Sequence, residues 1–278
     1  MIRKRLGTLA WAATTLLAAF VMFFPILWMA LTSLKTENDA IAFPPKWFFT
    51  PTFDNWRIAV FGGPVLEFMG NTAWITVAST LLALALGFPA AYAMAYYRTK
   101  RTDGSMLWMM STRMLPPAGV IVPLFVIFRD LSLLDTHLGL ILLFAGMNLP
   151  LVVWMLTGFM EDVPFALIEA ARLDGASLWQ EFTRVLLPLL LPGLAATALL
   201  ALIFTWNEFF WPLVVLTTPE DIKTLPIGLL TFRNVYAGAG DWGLILAGAV
   251  LSALPIIILF VVFQRYFLEG VSYGGSKE

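Results

Sequence analysis

Six apolar runs, each long enough to cross a bilayer, constrain this chain more than any other feature. A helix needs roughly 20 apolar residues to span about 30 Å of hydrocarbon. Runs at 9–31, 71–97, 106–128, 138–160, 185–216 and 244–267 meet that requirement. None alternates apolar and polar residues strictly, so they predict helices rather than the strands of a transmembrane barrel. The expected fold is an all-α membrane protein with six transmembrane helices, lipid around it, and one domain over 1–278. Only 13% of its 278 residues are charged, about half the soluble norm of roughly 25%. The chain has no cysteine, which removes disulfides and thiolate chemistry. A net charge of −1 argues against nucleic acid as a partner.

The loops set the expected orientation. With the N-terminus inside, the cytoplasmic side holds Arg3, Lys4, Arg5, Arg98, Lys100, Arg101, Arg172, Arg184, Arg265 and Lys277. The outside holds Lys35, Lys46, Arg57, Arg129, Lys223 and Arg233. "RTKR" at 98–101 fixes the second loop as cytoplasmic, and both termini are expected inside. The first run is too long for the apolar region of a signal peptide and lacks a clear small-residue cleavage site, so it reads as a retained peripheral anchor. The core is expected at about 71–267.

One inside loop has substance: "EAARLDGASLWQEFTRVLLP", 169–188. Pro164 suits a helix start, and 166–173 reads as a short helix displaying Glu169, Arg172 and Asp174. Gly175 allows a tight turn at positive φ. Ser177 can cap a second helix, with Glu181 nearby. Leu178, Phe182 and Val185 share a face that can pack back on the bundle. The stretch predicts a rigid helix–turn–helix knob; an ordinary interfacial hairpin is the plainer alternative.

The spacing Glu169-Ala170-Ala171, three residues, Gly175, nine residues, Val185, one residue, Leu187-Pro188 resembles the EAA signature of ABC-importer permeases, E-A-A-x3-G-x9-I-x-L-P. Val at 185 is the one departure. "STRMLPPAGVIVPLFVIFRDLSLLDTHLGLIL" at 111–142, "TWNEFFWPLVVL" at 205–216 and "ILFVVFQRYFLEG" at 258–270 are similar to MalG-type carbohydrate permeases. The likeness covers nearly the whole chain. It implies that the knob is a coupling helix docked on a separate ATPase, with Glu169, Ala170, Ala171, Asp174 and Gly175 making or shaping the contact and Arg172 facing an acidic rim. It also implies a second related permease, two ATP-binding subunits and an extracytoplasmic sugar-binding protein.

Other features agree with that expectation. No G-x-x-x-x-G-K-[ST] occurs, so ATP and magnesium are expected on a partner and no catalytic or metal site in this chain. Gly238-Ala-Gly240-Asp-Trp-Gly243 matches G-x-G-x-x-G formally but lacks a strand–turn–helix setting. The outside loop 217–243, with Phe232 and Tyr236, corresponds in MalG-type subunits to a scoop that reaches towards the sugar.

Within the membrane, Arg113 is expected about eight residues into the third run, at a cost of roughly 2.5–3.5 kcal/mol unless it faces protein or water. Asn207 and Glu208 are expected deep in the fifth run beside Trp206, Phe209 and Trp211, and Asn148 in the fourth. Two readings stand together. Either Arg113 pairs with Glu208 while the amides cap helices broken at Pro116, Pro117, Pro150 and Pro212, or these groups line a pathway for sugar hydroxyls and rings. His137, the only histidine, sits at a loop–span junction and reads as a cap or interface residue.

The resulting expectation is a permease subunit of an ATP-driven importer for a disaccharide, oligosaccharide or polyol, in the inner or plasma membrane of a bacterial-type cell. An ion-coupled secondary transporter of a small polar solute is the alternative. It is disfavoured because Glu208 is nearly the only intramembrane carboxylate and the two halves do not resemble each other. A membrane hydrolase would need a nucleophile, base and orienter at one depth, and the only histidine, His137, sits at a membrane edge.

Overall fold

The computed structural model describes residues 2–217, 222–235 and 241–275, with side chains for 11–217, 222–230 and 241–265. Among these, every regular element is helical: α1 (Ile2–Ser33), α2 (Glu37–Ala40), α3 (Asp54–Phe61), α4 (Val65–Tyr96), α5 (Thr102–Thr112), α6 (Pro117–Asp130) and α7 (His137–Glu161). Then come α8 (Phe165–Leu173), α9 (Leu178–Gln180), a π-helix (Glu181–Leu186), α10 (Leu187–Trp206), α11 (Phe210–Val215), α12 (Leu225–Val235) and α13 (Trp242–Gly275). Five helices are long and apolar enough to cross a membrane, and α5 with α6 forms a sixth candidate bent by 89°.

That bend corrects the continuous third span expected at 106–128. Hydropathy runs straight through the segment, but Pro116 and Pro117 supply no amide donors, and a proline drives the residue before it away from helical φ/ψ. Pro116 accordingly sits in extended backbone at φ −65°, ψ 130°, with Pro117 opening α6. The fifth span differs as well. Its helix begins at Leu178 and stops at Trp206, and residues 207–209 break it before α11.

The chain falls into two compact units, 1–66 with 228–254, and 67–227 with 255–278. In the first, the end of α1 is tied down by the loop that follows it. The buried Asn55 amide donates to the carbonyls of Ser33 and Lys35, satisfying groups that a helix terminus leaves without partners. Lys35 is buried too, its ammonium 4.2 Å from the centre of the Trp28 ring and donating to the Lys46 carbonyl at 2.7 Å. Burial holds this amine below the ordinary lysine range, with Asp39 opposing the shift.

In the second unit, α7 and α10 form the central pair. One buried cluster takes Ala83, Ala91 and Tyr92 from α4, Val152, Leu156 and Met160 from α7, and Leu190 and Ala201 from α10. A second cluster joins Ile75, Phe128, Leu140, Phe144, Trp211 and Val215. The polar stitch between the central helices is Asn148, buried on α7, whose amide donates to the Thr205 hydroxyl on α10 at 2.8 Å. Hydrogen bonds between membrane helices contribute about 0.6 kcal/mol on average and at most about 1.7. Thr205→Val is therefore expected to lower the unfolding free energy in mild detergent by roughly that amount. A loss above about 3 kcal/mol would mean that Asn148 holds more than this one bond.

The candidate coupling knob and the intramembrane polar groups

The loop between α7 and α10 folds as a knob, and its local sequence explains each part. Pro164 precedes α8, which extends one residue further forward than expected, from Phe165. The helix ends in a Schellman arrangement: the Gly175 amide returns to the Arg172 carbonyl and the Ala176 amide to that of Ala171, both at 3.0 Å. Gly175 takes φ +80°, a left-handed conformation that costs most L-residues energy. Ser177 caps α9, but its reciprocal partner is Gln180: the two side chains accept from each other's backbone amides.

Glu181 therefore does not serve the cap. It is buried, its carboxylate accepting from the Tyr92 hydroxyl of α4 and from Arg172 Nε at 3.0 Å. Arg172 Nη2 also donates to the hydroxyls of Tyr92 at 2.8 Å and Tyr97 at 2.9 Å. The Glu181 hydrogen bond raises the Arg172 guanidinium further above its ordinary range, so it stays charged. Arg172 is thus engaged inside the chain, with its side chain still 36% exposed.

Ile168 anchors the knob from below, fully buried in the cluster of α4, α7 and α10. Phe182 packs beside it against Tyr92, with ring centres 4.5 Å apart. Leu178, expected to pack inward with Phe182, points out and is 57% exposed. The outer surface presents Leu173 and Trp179, 89% and 75% exposed, among exposed Glu169, Ala170, Asp174 and Gly175, with Ala171 half-buried.

The π-helix beneath the knob follows from Pro188. With no N–H there, the Arg184 carbonyl lacks its usual helical donor. The Leu187 amide reaches the Phe182 carbonyl, five residues back.

The expected Arg113–Glu208 pair does not form. Arg113 closes α5 at the bend, and its guanidinium lies 5.2 Å from the centre of the Phe204 ring. Glu208 instead accepts from the amides of Phe210 and Trp211, so the carboxylate caps the broken segment α11, a role expected of the amides. Asn207 returns its amide to the Ile203 carbonyl. Arg113 lines a cavity of about 620 Å³ with Thr112, Pro117, Met147, Pro150 and Trp211. Asn148 is buried, as is Trp206, while Asn207 and Phe209 are exposed outside that lining. His137 opens α7, but Thr136 is its cap, accepting from the Gly139 amide. The backbone of Phe232 lies in α12, and Tyr236 and the first half of the G-x-G-x-x-G match, 238–240, lie outside the described residues.

Sequence reasoning missed Tyr92 and Tyr97 and misread Glu181. The S-x-x-Q spacing of Ser177 and Gln180 was the available signal for the cap. It would have freed Glu181 for another role.

Residues 83–273 match the family model of the binding-protein-dependent transport system inner membrane component. The arabinooligosaccharides transport system permease protein AraQ of Halalkalibacterium halodurans is 35% identical over 284 residues, covering 100% of both chains. The diacetylchitobiose uptake system permease protein DasC of Streptomyces coelicolor is 33% identical over 279 residues, 99% of this chain and 100% of that one. A chain from the crystal structure of a bacterial ABC transporter involved in the import of the acidic polysaccharide alginate superposes with a TM-score of 0.78. It is 26% identical, across 95% of this chain and 97% of that one. A family match over most of the sequence, together with full-length relatives of this identity, shows that the chain belongs to the binding-protein-dependent transport system inner membrane components, the multi-pass permeases of ABC importers.

Proposed function

We propose that this chain is the translocation subunit of an ATP-driven importer of a carbohydrate, a disaccharide, oligosaccharide or polyol, in a bacterial-type cell membrane. The observation that carries the reading is the knob: an EAA sequence folded into a rigid tip, anchored by Ile168 and exposing Leu173 and Trp179. Exposed apolar side chains on a tip rimmed by charge suit docking on another protein. The partner is a dimer of ATP-binding subunits that holds ATP and magnesium, and this chain itself catalyses no reaction. A second homologous permease and an extracytoplasmic solute-binding protein complete the assembly. The names of AraQ and DasC, and the alginate importer, support a saccharide as cargo.

Both termini lie in the cytoplasm with the knob, and 1–278 acts as one permease domain with α1 as a peripheral anchor. Closure of the ATPase dimer moves its grooves and the docked knob with them. Because the knob is continuous with α7 and α10, those helices turn against the second permease and open the pathway outward. Arg113 at the cavity wall, with Asn148, Trp206, Asn207, Glu208 and Phe209 near the breaks, are the candidates for the pathway; Phe232 and Tyr236 are those for contact with the binding protein.

Cells expressing the importer, fed a panel of labelled disaccharides, oligosaccharides and polyols, test the reading. One or more is expected to accumulate, and accumulation is expected to stop on ATP depletion while the ion gradients are clamped. Uptake that survives ATP depletion and collapses with the ion gradient would favour a secondary transporter instead.

A further inference from the structure

We propose that Tyr92, Glu181 and Arg172 form a latch that makes the knob one rigid body with the C-terminal end of α4, so that α4 follows the knob although it is not continuous with it. The proposal rests on the reading that the knob docks on a mobile ATPase. Chain continuity alone ties the knob to α7 and α10. The latch adds a third helix, from 80 and 89 residues away in sequence.

The geometry is that of a closed cluster. The Tyr92 hydroxyl donates to Glu181 and accepts from Arg172 Nη2, while Arg172 donates to both Glu181 and the Tyr97 hydroxyl. The Glu181 side chain is 2% exposed and that of Arg172 36%. A carboxylate so far from water favours its partners strongly, because losing any of them leaves a buried charge short of hydrogen bonds. Rings close the same seam: Tyr92 against Phe182, Tyr96 against Phe165 with centres 5.8 Å apart, and Arg172 over the Tyr97 ring at 5.7 Å. The Tyr96 hydroxyl donates to the Met160 carbonyl at 2.7 Å, fixing the end of α4 to α7.

A cluster that only stabilises the fold need not keep its spacing while the importer works; a latch must. The three residues are positioning residues, and a distance measured through the cycle separates the two roles. The chain has no cysteine, so two introduced thiols are the only thiol labelling sites on this subunit, which is labelled before the complex is assembled. Leu81→Cys on α4 and Ala166→Cys on α8 are both exposed. The distance is measured by pulsed electron resonance in the assembled complex, with MgADP and with ATP trapped by vanadate.

With the latch intact, one narrow distribution with an unchanged mean is expected in both states. Tyr92→Phe, which keeps the ring against Phe182, and Glu181→Gln, which keeps the shape, are expected to let the mean shift between states. The expected shift is about 1–2 Å or more, the scale of helix movements in switching transitions. A shift of that size with the latch intact, or variants as invariant as the parent, overturns the latch. Absence of an ATPase from the parent preparation overturns the docking reading instead. In that case the isolated chain judges the latch: Tyr92→Phe is expected to broaden the distance distribution, and a distribution as narrow as the parent's overturns it.

Discussion

Gly175→Asp is expected to abolish solute uptake while the chain inserts, folds and accumulates normally. Both halves of that expectation come from the local structure. Gly175 has φ +80°, and a β-carbon there would meet nothing within 4 Å. The substitution therefore adds backbone strain of about 1–2 kcal/mol without a clash. Aspartate is among the L-residues that visit this conformation with least difficulty. The turn survives, and what changes is its surface. A second carboxylate is placed beside Asp174 at an exposed tip whose apolar groups are Leu173 and Trp179. Any partner groove that accepts those side chains must then desolvate an extra unpaired charge. Uptake is expected to fall to background with the amount of membrane-inserted chain unchanged, checked by immunoblotting the same membranes. Normal uptake by this variant would remove the knob from the coupling mechanism.

Gly193→Leu is expected to have the largest effect on stability. Gly193 lies on α10 where that helix passes α7, and a β-carbon there would stand 2.5–2.9 Å from three ring carbons of Phe159. The half-buried Phe159 ring or the helices themselves must therefore move aside. Overpacking of this kind costs about 1–3 kcal/mol, and a leucine adds three further carbons to the clash. The thermal midpoint in detergent is expected to drop by several degrees, with more aggregate on size exclusion. Gly158→Ala is the control, because nothing lies within 4 Å of its added carbon. Equal midpoints for the two variants would contradict the close packing of α7 on α10.

Much of the fold was legible because bilayer crossing demands long apolar runs, and such runs survive in composition alone. The knob was legible for a different reason: its signals are local. Gly175 at a left-handed turn and Ser177 as a cap depend on neighbours within a few residues, and both stand where expected. The bend between α5 and α6 was harder to read because hydropathy sums are blind to backbone geometry, although Pro116-Pro117 carried the information. The end of α10 was misplaced for the same reason, since apolar residues continue beyond Asn207 and Glu208. The contact of Glu181 with Tyr92 could not be read from spacing at all: 89 residues separate them, and only the packing of α4 against the knob brings them together. Arg113 and Glu208 show the converse error. Opposite charges in the third and fifth spans suggested a pair as one of two readings, yet a backbone terminus took the carboxylate and a ring took the cation.

Docking of the knob on an ATP-hydrolysing partner is the step on which the proposed mechanism depends. Gentle-detergent purification of the tagged full-length chain from its native cell, followed by mass spectrometry of what accompanies it, tests that step most directly, with Gly175→Asp run alongside. An ATP-binding subunit and a second multi-span permease are expected to co-purify with the parent chain, and the variant is expected to lose the ATP-binding subunit. Purification of the parent alone or only with copies of itself, or full retention of that subunit by Gly175→Asp, would contradict the account.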